Sequence, residues 1–316
     1  MAFPIDASLG TYASAGGLSS TYIPEIWSSK LLEKFYLTTI FAAIANTDYE
    51  NEITAMGDKV IIRTVPDVTI RDYEVGINLN YERLRQANVE LLIDKGKYYA
   101  FPVNDIEKKQ SDINYVTKWA EDAAQQMKIT IDTAILADIY DDVSSYNAGT
   151  TAGKISANVN LGTTGSSGES AVEITSATVI DKITACGQVL DEQNIPETGR
   201  WFVIPAWMGQ RIKNSDLKDA SLTGDGKSVL RNGRIGMIDR FEIFVSNSLT
   251  SVTETSTKCF YSLFGHKSAL TFASQLVKNE TLKNPSDFGD LVRGLQVYGY
   301  KVIQATAMGT MYAKAG

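Results

Sequence analysis

Residues 112–142 carry the pattern that most limits what this chain can fold into. Ile113, Val116, Ala120, Ala123, Met127, Ile131 and Ile135 recur at steps of three and four, the spacing of one apolar stripe on an α-helix. Lys118, Glu121, Asp122, Gln125 and Lys128 fall on the opposite side. Ser111 stands where its hydroxyl can accept an orphan N–H of the first turn. A helix from Asp112 to Asp142, rising 1.5 Å per residue, is a rod of roughly 45 Å. Globular helices average three to four turns, so a rod of this length predicts an elongated molecule rather than a sphere.

The segment before the rod has a different period. "DKVIIRTV" (58–65), "DVTIRDY" (67–73), "VELLIDK" (89–95) and "KYYAFPV" (97–103) are short, β-branched and aromatic, and read as strands. The polar "EVGINLNYERLRQAN" (74–88) separates the second from the third. The reading is a long antiparallel excursion. A two-stranded arm is marginal alone in water, so it needs either a sheet of its own domain or a partner chain to lean on. Upstream, "YIPEIWSSKLLEKFYLTTIFAAIA" (22–45) reads as a helix with Pro24 and Glu25 in its first turn and Trp27 and Phe35 as core anchors.

Downstream, "SSYNAGTTAGKISANVNLGTTGSSGES" is rich in Gly, Ser, Thr and Asn and reads as a loop. Ser176 is positioned to cap a second helix through "TVIDKITACGQVLDEQN". "RWFVIP" reads as a buried strand and "AWMGQRIKN" as a short helix. "RFEIFVSN", "KCFYSLFG", "ALTFASQL" and "LQVYGYKVIQ" complete the strands. The class is mixed α+β. At 316 residues the chain is slightly longer than the ~250–300 at which a single core stops growing, which predicts two domains.

The chemistry is sparse. "SLTGDGKSVL" (221–230) offers Gly226, Lys227 and Ser228 in the order of a phosphate-binding loop, but Ser221 stands where that motif needs its first glycine. The residues before it are too polar for a buried strand, and the two glycines after it disfavour a helix; it reads as a solvated loop. His266 is the sole histidine, and reads as a turn or packed residue. An enzyme using His266 or Lys227 remains the outlying alternative. Cys186 and Cys259 lack metal-site spacing and read as buried free thiols. No cofactor or metal is expected. The net charge of −7 argues against a protein that grips nucleic acid. From Arg200 to Arg240 eight Lys/Arg face four Asp/Glu, which reads as a solvated surface. There is no apolar run of the ~20 residues that span a membrane, and no basic, apolar leader.

One resemblance runs through nearly the whole chain, in order. It is carried by "IPEIWS" (23–28), "DYENEI" (48–53), "GDKVII" (57–62), "LLIDKGKYYAFPVND" (91–105), "LDEQNIPETGRWFVIPAWM" (190–208), "GRIGMIDRFEIFVSN" (233–247), "GHKSALTFASQL" (265–276) and "VRGLQVYGYKVI" (292–303). The chain resembles the major capsid proteins of tailed double-stranded DNA bacteriophages, with the Hong Kong 97-type fold.

The resemblance implies an N-terminal arm and helix over 1–49 and an extended β-hairpin loop over 50–104. It implies a peripheral domain with its spine helix over 105–177, an axial domain over 178–264, and strands returning to the peripheral domain over 265–316. It implies a non-enzymatic subunit of an icosahedral shell, self-assembling through hexamers and pentamers around double-stranded DNA that it does not read by sequence. Portal and separate scaffolding proteins are implied partners, with a cement protein as a further one and no membrane. The place is the virion capsid, after assembly in the bacterial host cytoplasm. An encapsulin-like cellular shell is the alternative within the same fold. Arg71, Tyr73, Ile77, Leu79, Tyr81, Arg83 and Arg85 of the extended loop are the candidate inter-subunit contacts, because a slender tip cannot bury its own apolar side chains.

Overall fold

A computed structural model describes residues 39–49, 59–66, 68–76, 78–84, 88–110, 115–165, 170–215, 236–254 and 256–316. The helices are α1 Phe41–Ile44, α2 Asp105–Gln110, α3 Tyr115–Asp138, α4 Val179–Glu192 and α5 Ala206–Lys213. The strands up to the middle of the chain are β1 Lys59–Arg63, β2 Asn88–Leu92, β3 Lys95–Asn104, β4 Val172–Ile174 and β5 Arg200–Ile204. The later ones are β6 Met237–Ile238, β7 Phe241–Val245, β8 Ser251–Glu254, β9 Thr257–His266, β10 Leu270–Lys283, β11 Gly289–Val302 and β12 Met308–Ala315.

A seven-stranded sheet, ordered β4-β12-β9-β5-β7-β6 with β8 beside the first half of β9, divides the main core in two. The alternation of side chains along a strand makes this division. Trp201 and Val203 of β5 point into a core with Leu263, the buried stripe Ile131, Ile135, Leu136 and Ile139, and Ile44. Phe202 and Ile204, their neighbours, point the other way, to Ile183, Cys186 and Leu190 of α4 and Met208 and Ile212 of α5. The spine helix α3 therefore covers one face of the sheet and α4 and α5 the other. All five residues of β5 are buried, as both faces of a covered strand must be.

The second sheet is three-stranded, β10-β11-β3, all antiparallel. Trp119 of α3 meets Phe101 of this sheet edge-on, with ring centroids 6.0 Å apart. The third is the hairpin β1–β2, whose cross-strand pairs Val60↔Leu91 and Ile62↔Val89 share one face. That face packs with Ile93, Ala273 and Val297. At Gly299 the backbone of β2 comes so close that a Cβ would collide with the Leu92 carbonyl. The base of the hairpin thus leans on the chain's own three-stranded sheet.

Several expectations change here. Residues 68–73 form no strand: the exposed Val68 and Ile70 have no covered face to select an extended pairing. "KYYAFPV" is not a limb of the hairpin but pairs with β11, while β1 pairs with β2. The rod ends at Asp138, short of Asp142; its expected cap, Ser111, lies outside the described residues. The described end of the 22–45 segment is helical only over Phe41–Ile44, with Ile40 as its N-cap. Ser176 does not cap α4. Its N-cap is Thr178, which makes no side-chain cap hydrogen bond; Thr175 and Thr178 instead lock the turn before it, the Thr178 N–H donating to the Thr175 hydroxyl at 3.3 Å and the Thr175 N–H to the Thr178 hydroxyl at 3.0 Å. Both cysteines are buried free thiols, and burial pushes the Cys186 thiol up.

Candidate inter-subunit surface

Between the end of β1 and Asn88 no described residue belongs to a helix or strand. Across this excursion the apolar side chains are uncovered. Tyr73 is 70% exposed, Val75 94%, Leu79 62% and Tyr81 87%; Val65, Val68, Ile70 and Leu84 are exposed as well. The two limbs stand either side of a cleft of about 470 Å³ lined by Val68, Arg71, Tyr73, Leu79, Tyr81 and Leu84, among others. Arg71 and Glu82 bridge them at 4.0 Å with both side chains about half exposed, which contributes little stability. The structure therefore brings Arg71, Tyr73, Leu79 and Tyr81 together around one cleft. Arg83 is exposed on the same limb; Ile77 and Arg85 lie outside the described residues.

The three-stranded sheet has a second open surface. Tyr98, Leu295 and Lys278 stand in register across it, as do Ala100, Arg293 and Glu280. They line a cleft of about 580 Å³. Arg293 donates twice to Glu280, at 2.6 and 2.9 Å, and Lys278 pairs with the same carboxylate; the Lys278 bond and then those of Arg293 hold the Glu280 carboxyl below its usual range.

Of the two enzyme candidates, His266 takes a structural place. His266 ends β9, accepts the Ser268 N–H at Nδ1 (3.1 Å), and lies 2.8 Å from the Ser268 hydroxyl. That hydroxyl also reaches the Gln304 side chain at 3.3 Å. The group is a lock on the β9–β10 turn. Lys227 and Ser228 lie outside the described residues. Among the described residues no cluster of His, Cys, Asp or Glu is arranged to hold a metal, and no helix is long and apolar enough to cross a membrane.

Sequence reasoning missed Asp132. It sits inside the buried stripe of α3, fully covered, and its Oδ1 accepts the N–H groups of Ile40 and Phe41 at 3.1 and 2.9 Å. One carboxylate oxygen thus satisfies two orphan donors at the start of α1 and ties that segment to the spine. The signal was a carboxylate in the apolar face of the helix, between Ile131 and Ile135.

A family model described as phage capsid protein matches residues 89–311. The chain belongs to the phage capsid protein family. A solved structure from Mycobacterium phage Che8 is 28% identical, covers 92% of this chain and 97% of its own, and superposes with a TM-score of 0.76. The capsid structure of the cyanophage P-SCSP1u is 14% identical over 93% of this chain and 94% of its own, with a TM-score of 0.71. The mature capsid of bacteriophage PhiM1 is 13% identical over 92% and 91%, with a TM-score of 0.67. No curated relative matches the chain. The fold is the Hong Kong 97-type capsid fold. The protein is a non-enzymatic major capsid protein that forms a phage shell.

Proposed function

We propose that this capsid protein closes into an icosahedral head of hexamers and pentamers around double-stranded DNA, with residues 50–104 reaching over a neighbouring subunit. The observation that carries the reading is the contrast within that segment. Its base is pinned by the fully buried Leu91, while its outer part exposes Tyr73, Val75, Leu79 and Tyr81. Exposed apolar side chains gathered on one segment mark an interaction site. The charges Arg71, Glu82, Arg83 and Arg85 set register and exclude wrong partners more than they add affinity. The open face of the three-stranded sheet, with Tyr98 and Leu295, suits the receiving role on the neighbour.

In this reading residues 1–49 are the N-terminal arm, 105–177 and 265–316 the peripheral domain, and 178–264 the axial domain. The net charge of −7 suits a wall that contains DNA rather than one that grips it. A portal protein, a separate scaffolding protein and a cement protein are its partners, and assembly takes place in the host cytoplasm. Electron microscopy of the expressed chain tests the central point. Closed shells built of fivefold and sixfold capsomers are expected. Only monomers or open sheets, with and without a scaffolding protein, would overturn it.

A further inference from the structure

A second surface, far along the chain from the arm, has the construction of a contact point. The loop after the spine helix closes on itself: Ala152 and Val159 exchange both backbone hydrogen bonds at 2.8 and 3.0 Å, and Gly153 N–H donates to the Tyr146 carbonyl at 2.8 Å. Its root is held by the buried Asn147, which donates to the carbonyls of Thr306 and Met308 at 2.7 and 2.9 Å. Its tip is held by Glu192, whose Oε2 accepts the N–H groups of Ile155 and Ser156 at 2.7 and 3.0 Å. Gln188 steadies the other carboxylate oxygen at 2.9 Å.

Glu192 is the last residue of α4, where the helix dipole disfavours a negative charge. A carboxylate placed against its local preference has a tertiary purpose, and here it is to fix the tip. What the fixed tip presents is Ile155, 80% exposed, with Tyr146, 53% exposed, on the same loop. Ordering backbone costs about 1–2 kcal/mol per residue, so a set of bonds that orders an apolar side chain toward solvent serves something that later covers it.

The composition indicates the occupant. Between Val143 and Gly168 the only charged residue is Lys154, against 21% charged residues in the whole chain. Depletion of charge with an aromatic present is the mark of an interface centre. Each copy carries −7, so copies meet with least repulsion where the free charge is not acidic; at this tip the exposed charge is Lys154, and the one nearby carboxylate, Glu192, is engaged by the tip's own N–H groups. A foreign acidic or basic partner would have selected complementary charges on this loop.

The geometry points to the 153–157 tip, led by Ile155, as a docking knob for a second copy of this chain within the shell. This rests on the shell-forming role and not on the arm. A photo-reactive benzoylphenylalanine at position 155 tests it, in shells and in concentrated subunits. The expected product has twice the chain mass and joins two copies of this chain. Ile155→Asp should weaken self-association about tenfold per contact and leave the melting of the isolated subunit unchanged. Closed shells with no copy-to-copy product at 155, an adduct with a different protein instead, or unaltered assembly of Ile155→Asp each overturn the knob while leaving the arm standing. A chain that forms no shell, yet cross-links copies through 155 in solution, overturns the shell-forming role and with it the knob's place within a shell.

Discussion

Two carboxylates fix segments to helices in this protein, and they respond to pH in opposite directions. Burial raises the Asp132 carboxyl above its ordinary value of 3.8, against the lowering effect of the Ile40 and Phe41 N–H groups. A raised folded pKa means the folded state binds the proton more tightly than the unfolded chain. The contribution is therefore full below the ordinary carboxylate range and is lost as pH rises through the raised value. Burial also acts upward on Glu192, but hydrogen bonds from Ser156, Gln188 and Ile155 outweigh it and hold its pKa at about 2. Its contribution is present above 4.5 and is lost as pH falls toward about 2. Thermal melts across pH 3–7, an interval chosen to straddle the ordinary carboxylate range, separate the two. Wild type should gain on Asp132→Asn as pH falls, because Asn keeps an acceptor but has no proton to bind. Wild type should lose its advantage over Glu192→Gln over the same interval. Parallel melting curves for all three proteins would refute both assignments. Asp132→Ala removes the acceptor altogether, and should cost about 1–3 kcal/mol for stranding buried donors.

At the level of the element, the base of the arm is held by side chains that sequence periodicity could name. Leu91 is fully buried between Ile62, Ile93 and Ala273. Leu91→Ala should cost about 2–5 kcal/mol, measured by denaturant unfolding; a loss below about 0.5 kcal/mol, the scale of a surface change, would mean the hairpin does not lean on β10 and β11. Gly299→Ala should be destabilising as well, since its Cβ would meet the backbone of Leu92 rather than a movable side chain. Strands rich in β-branched and aromatic residues, β5, β7, β9 and the parts of β10 and β11 over 270–276 and 295–302, were legible because a short apolar run of that composition reads as a strand. β12 was not. "MGTMYAKA" is buried over its first six residues, so no alternation shows, and its Gly309 is required by the close approach of the Phe264 ring, a constraint that only the fold reveals. The opposite error occurred at 67–73, where a strand-like composition has no sheet to join. Asp132 illustrates the same limit in the core: a carboxylate in an apolar stripe is visible, but its partners lie 91 and 92 residues away.

At the level of the whole molecule, residues 64–84 are where the described chain leaves a run of apolar side chains uncovered. The two main cores share one sheet, since β5 feeds Trp201 to one and Phe202 to the other, and neither reaches residues 64–84. In the proposed reading the cover for Val75, Leu79 and Tyr81, exposed among the described residues, comes from another chain, and in a closed assembly the same contact recurs at every subunit. A small loss per contact then multiplies over the shell. Replacing residues 74–87 by a short Gly-Ser turn keeps β1, β2 and the buried Leu91 intact. It should therefore leave a subunit with wild-type circular dichroism and nearly wild-type melting. It should also increase solubility, because exposed apolar surface is removed. In sedimentation the truncated chain should run as a monomer or an isolated capsomer, with no large particle. The matched control is Tyr81→Asp, which keeps the arm at full length but puts a charge at its most exposed aromatic, and it should lower shell yield without changing subunit stability. Shells of normal size and heat resistance from the truncated chain would show that closure does not depend on this segment, and residues 50–104 would then be an appendage rather than the assembly arm.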